Sequence, residues 1–130
     1  MESSKQYYCR NALYKVPDLE SAKLFYSKAF NIETWFDEPN WVIFQIHEQQ
    51  LSLVPSDSSE EHPEVHGAFV RHEGITHWNV DDVDEVYKRF AELGGIAHEI
   101  SRATAPFKDA IVEDPWGNKM GLVRRLLANR

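Results

Sequence analysis

His77 is the residue of this chain best suited to do chemistry. It stands in Ile75-Thr76-His77-Trp78-Asn79-Val80, a run that reads as a strand. Alternation puts His77 and Asn79 on one face, and Trp78 and Val80 on the other. An imidazole can pass a proton or simply hold a hydrogen bond, and both roles stay open. Glu113 is the second candidate. Asp109 lies four residues before it, so the two carboxylates share a strand face. Such a pair can hold a cation or divide acid and base work between its members. It can equally be a pair of rim charges at strand ends. Asp114 is expected to cap its own turn.

His62, His66 and His72, with Glu61 or Glu64, invite a zinc reading. Zinc needs ligands in a tetrahedral array on a rigid frame. Pro63 and Gly67 sit among these histidines, and no apolar stripe anchors a helix there, so the stretch reads as a solvated loop. His47 and His98 read as ordinary strand residues. There is no glycine-rich phosphate loop and no Gly-x-Ser-x-Gly elbow.

The aromatic residues suggest a pocket. Alternation places Trp41, Ile43, Gln45 and His47 on one face of a strand, and Val42, Phe44 and Ile46 on the other. The second set reads as core, so Trp41 and Gln45 should line a cavity, with Phe107 as a further aromatic wall. Aromatic walls with a few polar groups are a usual small-molecule site. In an acidic field they favour a flat or cationic compound.

A repeat positions these residues. Val16-Pro17-Asp18-Leu19-Glu20 opens a stretch that ends at Ile32, and Val80-Asp81-Asp82-Val83-Asp84 opens one that ends at Ile96. The two align without a gap at an offset of 64 (82 − 18). A repeat of about half the chain means two similar modules. Asp18 and Asp82 are expected N-caps, and Gly94-Gly95 a helix end. Leu19, Ala22, Phe25, Tyr26, Ala29 and Phe30 form one apolar stripe; Val83, Val86, Tyr87, Phe90 and Leu93 form the other. Strands are expected over 8–15, 32–36, 41–47, 50–54, 75–80, 96–100, 109–113 and 119–124. Asp114-Pro115-Trp116-Gly117-Asn118 should turn the last hairpin. Module one then spans about 8–55, a linker 56–73, and module two 74–125, within one domain.

The 130 residues allow a real core. A net charge of −7 argues against nucleic acid, which requires a basic face. No apolar run is long enough to span a bilayer. Cys9 is the single cysteine, so no internal disulfide is possible, and a cytoplasmic setting is expected.

The order of motifs resembles the vicinal-oxygen-chelate superfamily, which includes glyoxalase I, extradiol dioxygenases and bleomycin-resistance proteins. The likeness rests on Val16-Pro17-Asp18-Leu19-Glu20 with Phe25-Tyr26, on Val80-Asp81-Asp82-Val83-Asp84, and on Glu113-Asp114-Pro115-Trp116-Gly117-Asn118. It implies an α+β fold in which two βαβββ modules curve their sheets into a cup, with helices outside. It also implies a homodimer. Its enzymes hold a divalent metal in the cup. Carried over by motif, the ligand positions fall on Asn11, Ser52, Ile75 and Gly121. Isoleucine and glycine offer no side-chain ligand, so no metal or other cofactor is expected here. Asn11 and Ser52 become polar contacts for a ligand instead. The reading is a metal-free binder of a small, partly aromatic molecule. The alternative is a divergent lyase, isomerase or dioxygenase, with a divalent metal or with His77 or Glu113 as proton carrier.

Overall fold

A computed structural model describes residues 11–57, 75–100 and 107–125. Residues 8–10 of the first expected strand, His62, His66, His72, Phe69 and most of the expected linker lie outside the described residues. The elements run β1 (Asn11–Val16), α1 (Leu19–Phe30), β2 (Phe36–Glu38), β3 (Trp41–Ile46) and β4 (Gln49–Pro55). The second set is β5 (His77–Asn79), α2 (Val83–Glu92), β6 (Ile96–Ile100), β7 (Phe107–Glu113) and β8 (Lys119–Arg125). Each module is βαβββ and gives a four-stranded sheet. The orders are β1-β4-β3-β2 and β5-β8-β7-β6, the same path twice. The first and last strands of each module pair in parallel, and the other pairs are antiparallel.

Both helices begin where their caps say. The Asp18 carboxylate accepts from the Ser21 amide at 3.3 Å, and Asp82 from the Glu85 amide at 3.1 Å. These bonds satisfy orphan amides of the first turn. Asn31, at φ 58, ends α1 in the left-handed conformation that asparagine tolerates. Gly95 follows α2 because a Cβ there would lie 2.4 Å from the Glu113 carbonyl oxygen. The backbone of β7 passes too close for any side chain.

The helices cover one face of the sheets. Ala12, Val16, Val42, Phe44, Leu51 and Leu53 point to them from the first sheet; Trp78, Ala110, Val112, Met120 and Leu122 do so from the second. Burying each large apolar side chain contributes roughly 1.5–3 kcal/mol. The core crosses the module boundary. The Phe25 ring meets Phe90 edge-on at 5.1 Å and Trp116 at 5.7 Å. Arg89 of α2 donates to the Ala29 carbonyl of α1 at 3.3 Å. Among the described residues, no helix is long and apolar enough to cross a membrane.

Several expected boundaries move. The strand expected over 32–36 forms at Phe36–Glu38 instead. Asn31 turns the chain away from the helix, and pairing resumes only at Trp35, whose amide donates to the Ile43 carbonyl at 2.8 Å. Trp35 is 60% exposed. His47 is not a strand residue. It adopts φ 55 in a two-residue hairpin turn with Glu48, and Gln49 already pairs with Ile46. Positive φ in so short a turn matches the twist of the flanking strands. His98 stays in its strand but at a bulge, since the register shifts between Ala97 and Glu99.

Candidate functional site

The sheet faces turned away from the helices carry nearly all the expected site residues. On the first sheet, cross-strand partners assemble them in rows. Asn11 pairs with Gln50, and Gln50 with Gln45. The Gln50 amide donates to the Gln45 side-chain oxygen at 3.1 Å, and Gln45 donates to the His47 carbonyl at 2.9 Å. The next row is Leu13, Ser52, Ile43 and Phe36. Phe36 and Trp41 then meet edge-on, with ring centroids 5.1 Å apart at 64°. Ile43, Ser52 and Val54 are buried on this face. The Ser52 hydroxyl has no hydrogen-bond partner among the described residues. A buried hydroxyl in that condition costs about 1–3 kcal/mol.

On the second sheet, His77 pairs with Gly121, Gly121 with Ile111, and Ile111 with Glu99. Asn79 pairs with Val123, and Val123 with Asp109. Phe107 begins β7 opposite Arg125. His77 and Asn79 are exposed while Trp78 between them is fully buried, as alternation requires. His77 and Glu113 share this face but are not neighbours. Glu113 pairs with Lys119 across the ladder, and its carboxylate meets His98 Nε2 at 2.7 Å. The bulge at His98 is what brings that imidazole to the carboxylate. Asp109 and Glu113 are separated by Ile111 and make no carboxylate pair.

His77 lies over Gly121. A Cβ built at Gly121 would fall 2.3–2.6 Å from the Cδ2, Nε2 and Cγ atoms of the ring. The imidazole therefore fills the space that any side chain at 121 would need. Its Nδ1 lies 2.9 Å from the Ile75 carbonyl oxygen, which fixes the ring's tilt.

One glutamine and one asparagine side chain join the modules. Gln49 is buried; it donates to the His77 carbonyl at 2.8 Å and accepts from the Asn79 amide at 2.9 Å. It thus pairs with the free edge of β5 as a strand would. Asn118 donates to the Lys15 carbonyl at 3.2 Å. Gln49 precedes Ser52 by three residues, and Asn118 precedes Gly121 by three, so the two staples are equivalent in the repeat. Gln49 and Gln50 stand outside the residues expected from the sequence. Alternation from Ser52 identifies Gln50; nothing local identifies Gln49.

The Asp-Pro-Trp-Gly turn is structural. Asp114 is buried, and its Oδ1 accepts from the Trp116 and Asn118 amides at 2.9 and 2.8 Å. Its Oδ2 accepts from the Tyr26 hydroxyl at 2.6 Å and from Asn118 Nδ2 at 2.9 Å. Burial first, and then the Asp114 charge, push the Tyr26 phenol well above its ordinary pKa of 10.0.

A cleft of about 420 Å³ opens at the module junction, and Gln45, Asn79, Asp81 and Arg89 are among its walls. His47 Nε2 lies 3.3 Å from Asp81 across it. A larger hollow, about 600 Å³, runs along the outside of α1 past Lys23, Leu24 and Asp37. None of the expected site residues lines it, and Lys23 there is engaged by Asp37 and Glu20. The junction cleft adjoins the sheet faces and is the more relevant of the two.

The metal expected of the resembled enzymes does not fit these positions. Ile75 brings no donor, and Gly121 brings none and is covered by the His77 ring. Among the described residues, no three His, Cys, Asp or Glu side chains are placed to share an ion.

Known proteins share this fold. A structure from Burkholderia phytofirmans PsJN, described as a glyoxalase/bleomycin resistance protein/dioxygenase family enzyme, superposes with a TM-score of 0.65 at 16% identity. The match covers 92% of this chain and 99% of that one. A lactoylglutathione lyase from Agrobacterium tumefaciens gives 0.63 at 23% identity, over 92% and 95% of the two chains. A fosfomycin resistance protein from Listeria monocytogenes gives 0.63 at 18%, over 90% and 92%. No curated protein matches the sequence. A family-wide sequence pattern does match, over residues 11–122, and by it the chain belongs to the Glyoxalase/Bleomycin resistance protein/Dioxygenase superfamily.

Proposed function

We propose that this protein binds a small, partly aromatic molecule on the open faces of its two sheets, without a metal. The seating of His77 on Gly121 carries this reading. It fills with an imidazole the space that any side-chain ligand at position 121 would need. The rest of the surface supports it: the Phe36–Trp41 ring pair offers a wall, and Gln45 and Gln50 offer oriented amides. Asn11, Ser52, Asn79 and Phe107 complete the proposed contacts.

Elemental analysis after mild purification tests the metal-free half of the proposal. The expected result is no stoichiometric transition metal. One zinc, nickel or iron per chain, lost on changing His77, overturns it.

One observation favours an enzyme as the second reading. The His98–Glu113 contact at 2.7 Å is a histidine–carboxylate pair on the open face, as proton transfer needs. Lyase or isomerase turnover that disappears with Glu113→Gln, the protein remaining folded, would establish it. We also propose a cytoplasmic homodimer, since the outer strands β2 and β6 leave sheet edges that a second copy can cover. Light scattering that reports a monomer at micromolar concentration counts against the dimer.

A further inference from the structure

The hydrogen on His77 can be assigned from its surroundings. Nδ1 lies 2.9 Å from the Ile75 carbonyl oxygen. A carbonyl oxygen only accepts, so Nδ1 must donate. A neutral imidazole carries a single N–H, which leaves Nε2 as a bare acceptor. The Cγ, Cδ2 and Nε2 atoms of the ring lie over Gly121, and His77 is exposed on the open face, so a ligand can approach Nε2 in the plane of the ring. Its cross-strand row continues through Ile111 to Glu99, and Asp109 occupies the next row. Lys119, paired across the ladder with Glu113, and Arg125, opposite Phe107, are the basic register positions of β8 on this face.

We propose that this face selects hydrogen-bond donors: the O–H or N–H group of a small aromatic molecule, taken by His77 Nε2. The inference deepens the binding reading above and rests on it. It reverses the polarity a metal would impose. A metal ion attracts ligand oxygens that accept, such as carbonyls and carboxylates. A bare imidazole nitrogen flanked by carboxylate rows attracts donors and disfavours those same oxygens. Phenols, anilines and protonated aromatic amines fit this chemistry; aromatic acids and ketones do not.

The test uses two neutral probes of one shape, naphthol and its methyl ether, which differ in a donor. Nitrogen-15 spectra of the free protein, on the alkaline side of the imidazole titration, should show the Nδ1–H form at His77. Naphthol should then move the Nε2 resonance and bind about five-fold more tightly than the ether, as one hydrogen bond allows. His77→Phe keeps a ring over Gly121 but has no acceptor, and should erase that preference. An Nε2–H form in the free protein overturns the inference. Equal binding of ether and naphthol to the wild type also overturns it, yet leaves metal-free binding standing. Binding of neither probe sinks both.

Discussion

Tyr14 and Trp78 stand at the same place in the two repeats, and they touch. The Trp78 indole N–H donates to the Tyr14 hydroxyl at 3.2 Å, with ring centroids 6.4 Å apart. Tyr26 and Phe90, also equivalent, pack with centroids 6.2 Å apart. The repeat in the sequence is therefore a relation in space, with matching residues meeting at the boundary between modules. The staples Gln49 and Asn118 follow the same relation. A site on the open faces inherits its geometry from this boundary, because Gln49 grips the backbone of the strand that carries His77 and Asn79.

That grip can be released. Gln49→Leu keeps the volume but leaves the His77 carbonyl and the Asn79 amide without their partner. An unsatisfied buried group costs about 1–3 kcal/mol, so the midpoint of chemical denaturation should fall accordingly. Hydrogen exchange at the Asn79 amide should accelerate more than exchange within β4. Unchanged exchange at Asn79 would show that Gln49 does not hold β5.

Tyr26 makes stability depend on alkaline pH. Its phenol titrates above 10.0 in the folded chain because burial and Asp114 oppose the phenolate. The folded state then holds a proton that the unfolded state releases. Stability from this source is complete below pH 10, and is lost as pH rises from there toward the folded-state value. Tyr26→Phe should flatten that alkaline decline. At neutral pH it should cost about 1–3 kcal/mol, since Asp114 Oδ2 keeps only its bond from Asn118. Thermal melts at neutral and alkaline pH read both effects.

Gly121→Ala tests the seat of His77. The new Cβ would meet Cγ at 2.6 Å, close to the root of the imidazole, so the ring must swing about its first torsion. That motion breaks the Nδ1 bond to Ile75. The expected cost is about 0.5–1.5 kcal/mol, the net worth of one hydrogen bond. Adding His77→Ala to the alanine variant should remove the clash, so the double variant should be more stable than the two single costs added together. Strict additivity would mean the ring does not rest on residue 121.

What the sequence reveals here is what depends on neighbours along the chain. Asp18 and Asp82 cap helices through bonds three residues away, and the stripes from Leu19 and Val83 need only a helix to align them. Alternation likewise sorts Trp78 from His77 and Phe44 from Gln45. The site's finer geometry depends on partners far away in sequence. His77 lies over Gly121 only because β5 and β8 pair in that register. Gln49 reaches His77 only once the modules have packed. His98 reaches Glu113 through a bulge, and one extra residue in a strand leaves no mark in a hydrophobic pattern. His47 gives no local sign of its turn, because a two-residue turn with left-handed geometry usually announces itself with asparagine or glycine.

Trp41 provides the most direct probe of the proposed pocket. Its ring stands on the open face beside Phe36, in the strand that also carries Gln45. An aromatic ligand on this face gains stacking or edge contact with it, worth on the order of a kcal/mol. Trp41→Ala should therefore weaken naphthol binding roughly three- to ten-fold. Trp35→Ala is the control, since Trp35 is 60% exposed and precedes Phe36 by one residue, out of phase with that face. It should leave the affinity unchanged. Calorimetric titration of both variants separates the outcomes. Loss of affinity in the Trp41 variant alone means that a ligand held at His77 also reaches the aromatic wall of the first sheet. Equal affinity in both variants would take the ligand off that wall and leave it on the His77 face alone or in the junction cleft beside Asp81 and Arg89.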